Sequence, residues 1–153
     1  MDDMLQSNTA AEGNEALQSH ALALGKLLDE HHGGDVVVMD MRSLNFWTDF
    51  FILATVTSST HQAGLERHIK DFSREEGLEI LRRSRRPETG AEEGSAELRS
   101  DEWCLLDLGS IVIHLMSARI RSFFELERLW SAAPLIFQSE GAKVKASQAG
   151  LDG

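Results

Sequence analysis

The chain predicts an α+β fold, a mixed sheet of about five strands flanked by helices. Two patterns carry this expectation. Apolar residues recur at helical spacing in three separate segments, and short apolar runs rich in β-branched residues lie between them. The resulting order is helix, two strands, helix, three strands, helix, without an internal repeat. A length of 153 residues suits one such domain.

Residues 1–14 hold few large apolar side chains and are expected to be a disordered tail. From Glu15 to His31 the spacing of Leu17, Ala21, Leu24 and Leu28 predicts a helix that Gly33-Gly34 stops. "DVVVMDM", Asp35 to Met41, reads as a strand buried on both faces, "SLNFWTD" as a connection, and "FFILATV", Phe50 to Val56, as a second buried strand. Ser59 and Gln62 fit a capping box, with Ser59 accepting from the third helical N–H. The helix they open places Leu65, Ile69 and Phe72 on one face and ends at Gly77.

"LEILR" follows as a third strand, and the polar residues 84–100, with one Pro and two Gly, as an exposed loop. "EWCLLDL" and "IVIHLM", separated by Gly-Ser, read as a hairpin. A last helix is expected from Ala118 to about Ala132, until Pro134 interrupts, with Trp130 in the core. The domain is therefore expected over residues 15–137, with a flexible tail over 138–153.

Composition narrows the partners. The formal net charge of −10 disfavours DNA and broad binding to a phosphate backbone, and it suits a basic protein. "RRSRR", Arg82 to Arg86, is the local exception. It reads as a solvated strand end, with a minor RNA contact inside a larger complex as its functional alternative. No apolar run approaches the roughly 20 residues that span a bilayer. The acidic start "MDDMLQSNTAAEGNE" has neither the basic start nor the apolar core of a signal peptide, so a cytoplasmic location is expected. The one cysteine, Cys104, excludes an internal disulfide and reads as a small buried hydrophobe.

Candidate chemistry is incomplete at each point. Asp49, Ser58 or Ser59, and His61 contain the residue types of a hydrolytic triad, yet no Gly-x-Ser-x-Gly elbow exposes a nucleophile. "ATVTSSTH" joins a strand to a helix without the glycine that close approach to a phosphate requires. The histidines match no zinc spacing, and no metal or cofactor is expected. His114, between Ile113 and Leu115, is expected to be a hydrogen-bonded, partly buried imidazole on the sheet face opposite both. Asp35 and Asp40 flank a strand, and Asp101 and Glu102 point to opposite faces if extended, so no carboxylate pair forms a two-metal site.

Three motifs in order, "DVVVMDMRSLNFWTDFFILATVTSSTHQ", "EWCLLDLGSIVIHLM" and "RIRSFFELERLW", resemble the ribosomal silencing factor family, also called iojap-like. The likeness covers roughly residues 15–131, and Thr48, Asp49, Thr55, Ser58, Ser59, His61 and His114 are its motif positions here. It implies a nucleotidyltransferase-like fold without catalytic carboxylates, and a protein that is not an enzyme. It further implies binding to the large ribosomal subunit through the ribosomal protein conventionally numbered fourteen. That docking would block subunit joining and lower translation under nutrient limitation. The implied partner-facing residues are Trp103, Leu105, Asp107, Met116, Arg119, Arg121 and Phe124.

The chain departs from the family pattern at Val56 and Thr60, where Gly and Arg are usual, at Ser110, where Asp is usual, and at Phe124, where Tyr is usual. A remnant nucleotidyltransferase-like enzyme and a homodimeric interaction module are the alternative readings.

Overall fold

A computed structural model describes residues 2–44, 47–86, 102–125, 128 and 132–142, with side chains over 13–84 and from 102 onward within those ranges. The elements are α1 (Asp2–Glu30), β1 (Gly34–Asp40), β2 (Phe50–Val56), α2 (Ser59–Glu76), β3 (Arg82–Arg86), β4 (Trp103–Asp107), β5 (Ile111–Ser117), α3 (Ala118–Phe124) and β6 (Leu135–Gln138). They build one six-stranded sheet of order β3-β4-β5-β2-β1-β6. Every neighbouring pair is antiparallel except β2 and β5, which run parallel. The sheet is mixed, as expected, with one strand more than the sequence suggests.

Period-two alternation divides the sheet into two faces. Val36, Val38, Phe50, Ile52, Ala54, Cys104, Leu106, Ile113 and Leu115 pack with Leu24 and Leu28 of α1 and Leu65 and Ile69 of α2. On the other face Val37, Met39, Phe51, Leu53, Val112 and Met116 pack with Ile120 of α3, with Trp103, Leu105 and Phe124 partly buried against them. The central β2 fills both cores, which is why "FFILATV" is apolar throughout. Each such fully buried large side chain contributes roughly 1.5–3 kcal/mol.

Several boundaries differ from expectation for identifiable reasons. Helix α1 begins at Asp2, so residues 2–14 continue the helix where a disordered tail was expected. Extending a helix past turns already held by packing costs little, and no proline interrupts the segment. The third strand lies over "RRSRR", displaced from "LEILR". Its register starts at Arg82 opposite Asp107, while Ile80 packs into the α1–α2 core from outside the strand. Residues 84–86 of the expected polar loop are therefore strand, and residues 87–100 lie outside the described residues.

Helix α3 stops at Phe124, where Glu125 takes a left-handed conformation at φ 46°. Leu126, Leu129 and Trp130, expected in the same helix, lie outside the described residues. The unforeseen β6 pairs with β1, and the Ser139 hydroxyl after it accepts from the buried N–H of Val36 at 3.0 Å. Thus residues 138–142 are packed chain rather than flexible tail, with Ser139 and Ala142 buried. Among the described residues, no helix is long and apolar enough to cross a membrane.

Candidate interaction surface

The motif stretch after residue 47 turns out to be scaffolding. The Thr48 hydroxyl donates to the Gly109 carbonyl at 3.1 Å, and the Asp49 and Phe50 N–H groups donate to the Ser110 carbonyl. Together they fasten the start of β2 to the β4–β5 turn. At the far end of β2, the helix cap is Ser58 and not Ser59. Its extended backbone (φ −160°) lets Oγ accept from the His61 N–H at 3.0 Å. His61 Nδ1 in turn accepts from the Thr57 N–H at 3.1 Å, so His61 reciprocates where Gln62 was expected to. Gln62 is instead buried, and Ser59 is already the first helical residue.

This geometry argues against a triad. Asp49 precedes β2 and His61 follows it, so a seven-residue strand of about 20 Å separates them. Among the described residues, no three of His, Cys, Asp and Glu converge to hold a metal.

The residues implied as partner-facing gather on the α3 side of the sheet. Trp103, Leu105 and Asp107 alternate along β4 and are each half-buried. Trp103 stands opposite Met116, and Leu105 opposite His114. Met116 is fully buried, so it supports this face and presents no surface of its own. Trp103 Nε1–H donates to His114 Nδ1 at 3.2 Å, which places the imidazole proton on Nε2. His114 Nε2 is buried without a hydrogen-bond partner among the described residues, and burial pushes the His114 pKa down to about 4. The expected hydrogen-bonded histidine is present, more deeply buried than expected.

From His114 an aromatic series runs both ways. Phe51 lies 5.2 Å away and Trp47 6.1 Å beyond it; on the other side Trp103 meets Phe124 at 4.9 Å and Phe124 meets Phe123 at 5.0 Å. Its two ends are open to solvent, Trp47 at 59% and Phe123 at 78% exposure. Sequence reasoning passed over Trp47 because a tryptophan in a connection has no periodicity to assign it a face.

Helix α3 frames the series with charge. Arg119 Nε donates to Glu102 Oε1 at 3.1 Å, and Arg121 donates from one Nη to the Thr55 hydroxyl at 3.1 Å and the Gly34 carbonyl at 3.3 Å. Both guanidiniums are therefore anchored, which fixes the helix on the sheet and limits their freedom to reach outward. Asp107 is likewise engaged, its Oδ1 accepting from the Gly109 N–H at 2.8 Å to form the turn in which Gly109 adopts φ 87°.

Comparison with known proteins decides the family. The family described as "Ribosomal silencing factor during starvation" matches residues 14–151. The chain belongs to the ribosomal silencing factor family. A silencing factor named RsfS from Treponema pallidum is 34% identical over 110 residues, covering 72% of this chain and 88% of that one. RsfS from Bacillus subtilis is 31% identical over 107 residues, covering 70% and 80%. A crystal structure of a Chromobacterium violaceum protein superposes with a TM-score of 0.60 at 25% identity, covering 74% of this chain and 85% of that chain. This silencing-factor chain thus shares its family's α+β fold, and its relatives are named as silencing factors rather than enzymes.

Outside the surface, the fold assembles one cluster that sequence adjacency hides. Glu66 on α2, buried, accepts from the Cys104 thiol at 2.9 Å and pairs with Arg83 at 2.6 Å. Cys104 is a buried free thiol, as expected, but it has a carboxylate partner from another element.

Proposed function

We propose that this silencing factor docks on the large ribosomal subunit through the aromatic side of its sheet and keeps the small subunit from joining, lowering translation under nutrient limitation. The docking residues are Trp103, Leu105, Asp107, Arg119, Arg121 and Phe124, extended to Phe123 and backed by Met116. The partner is the basic large-subunit ribosomal protein conventionally numbered fourteen. The body of the domain acts sterically, so no reaction and no cofactor is required. The observation that carries this reading is the continuous aromatic series with exposed ends, because interfaces are anchored by clustered aromatics at a desolvated centre. A chain of net charge −10 also favours encounter with a basic protein.

Gradient co-sedimentation with separated ribosomal subunits tests it. The chain is expected to migrate with the large subunit and to reduce joining of added small subunits. Absence from the large-subunit fraction would end the proposal. Trp103→Ala is expected to weaken binding to the isolated ribosomal protein by tenfold or more, since truncating a central aromatic commonly costs about 2 kcal/mol. A second copy of the chain is the competing occupant, because exposed Phe123 would serve a homodimer equally. In that case the free chain would sediment as a dimer and release monomer on binding.

A further inference from the structure

We infer that β3 is a phosphate-contacting strip, engaging the backbone of ribosomal RNA beside the aromatic surface. The inference rests on the ribosome-docking reading above and adds a second class of interaction to it. The chain is acidic overall, yet four of its 15 basic residues fall within the five of Arg82–Arg86. That segment is the terminal strand of the sheet, and among the described residues it is paired on one side only.

Alternation along β3 gives Arg82 and Arg83 different surroundings. Arg83 is opposite Leu106 of the α1–α2 core and is neutralised by Glu66. This pair clamps the edge strand to α2. Arg82 and Ser84 lie opposite Asp107 and Leu105, on the aromatic side, and Arg86 is the register partner of Trp103. Arg82 is exposed, and its side chain makes no hydrogen bond or ion pair among the described residues. Basic positions on a strand held rigid by the Arg83–Glu66 pair therefore border the proposed anchor directly.

Guanidinium forks match phosphate oxygens bidentately. Positions 82 and 86 are separated by about 13 Å of strand, the reach of a few nucleotides. On a ribosomal subunit the polyanion adjoining a basic ribosomal protein is its RNA. Charge on an edge strand also prevents strand-to-strand association, but that role alone leaves subunit affinity unchanged.

The test measures binding of the full chain and of Arg82→Ala/Arg86→Ala to purified large subunits across a salt series, and in parallel to the isolated ribosomal protein. The variant is expected to bind subunits about tenfold more weakly, with the slope of log K against log salt reduced by about 1 for each phosphate no longer engaged. Its affinity for the isolated protein is expected to stay at the wild-type value, which also verifies its fold. Unchanged subunit affinity and slope overturn the RNA contact alone. An equal loss on the isolated protein also overturns it, assigning the arginines to a protein contact. Failure of the wild-type chain to bind either probe overturns the docking reading and this inference together.

Discussion

His114 shows how a single side chain can hold an anchor in place. Its Nδ1 accepts the Trp103 indole proton only while the ring is neutral, and burial keeps it neutral to about pH 4. Burial is the cause of that shift, because desolvation disfavours the charged imidazolium. An unfolded histidine titrates near pH 6.5, so between pH 6.5 and 4 the unfolded chain binds a proton that the native chain refuses. Stability from this residue is therefore present above pH 6.5 and declines as pH falls, by up to about 1.4 kcal/mol per unit and roughly 3 kcal/mol in all. Urea unfolding midpoints from pH 7 to 4 are expected to fall more steeply for the wild type than for His114→Phe. Parallel pH dependences would contradict this account. Asp40 shifts in the same direction for a different reason: the Arg42 side-chain hydrogen bond favours the charged carboxylate and holds it below the usual carboxylate range, so its contribution to stability is also lost as pH falls.

At the level of elements, the cap of α2 separates two adjacent serines that sequence spacing treats alike. Ser58 has the extended backbone and the 3.0 Å bond to the His61 N–H, whereas Ser59 is exposed in the first turn. Ser58→Ala is expected to lower stability by about 1 kcal/mol, and Ser59→Ala by a few tenths at most. Equal losses in thermal or denaturant unfolding would return the cap to Ser59. The one-residue difference was not legible in the sequence, because "TSSTHQ" offers a polar residue three positions after either serine. Strand β6 was missed for a related reason. Four residues after a proline are too few to show a period, and its place is set by pairing with β1, more than ninety residues earlier in the chain. The strands β2, β4 and β5 were legible because their alternation or full burial is written in their own residues.

For the whole molecule, the two faces of the sheet have separate duties. Helices α1 and α2 close one core, with a stacked His31–His68 pair at 3.6 Å between them, and the other face carries the proposed docking surface. Stability and binding should then be separable at the exposed ends of the aromatic series. Phe123→Ala removes a side chain that is 78% exposed, so its unfolding free energy is expected within about 0.5 kcal/mol of wild type. Its affinity for large subunits is expected to fall several-fold, measured in the same sedimentation gradients. A variant that binds normally would remove Phe123 from the interface. The same separation explains Met116, which shares the face and register of Trp103 but has no surface to offer a partner in the free chain.

Fold class, central strands, main helices and family are all written in the linear chain, because they depend on local periodicity and on contiguous motifs. Which side chains meet is a different matter, and it needed the folded molecule. Glu66 joins Arg83 and Cys104, Thr48 reaches Gly109, Arg121 reaches Thr55, and the aromatic series connects Trp47 to Phe123. These partners lie from one to many elements apart. Whether they come within hydrogen-bond or ring contact depends on strand order and register, and these are settled by burying both faces of one sheet simultaneously.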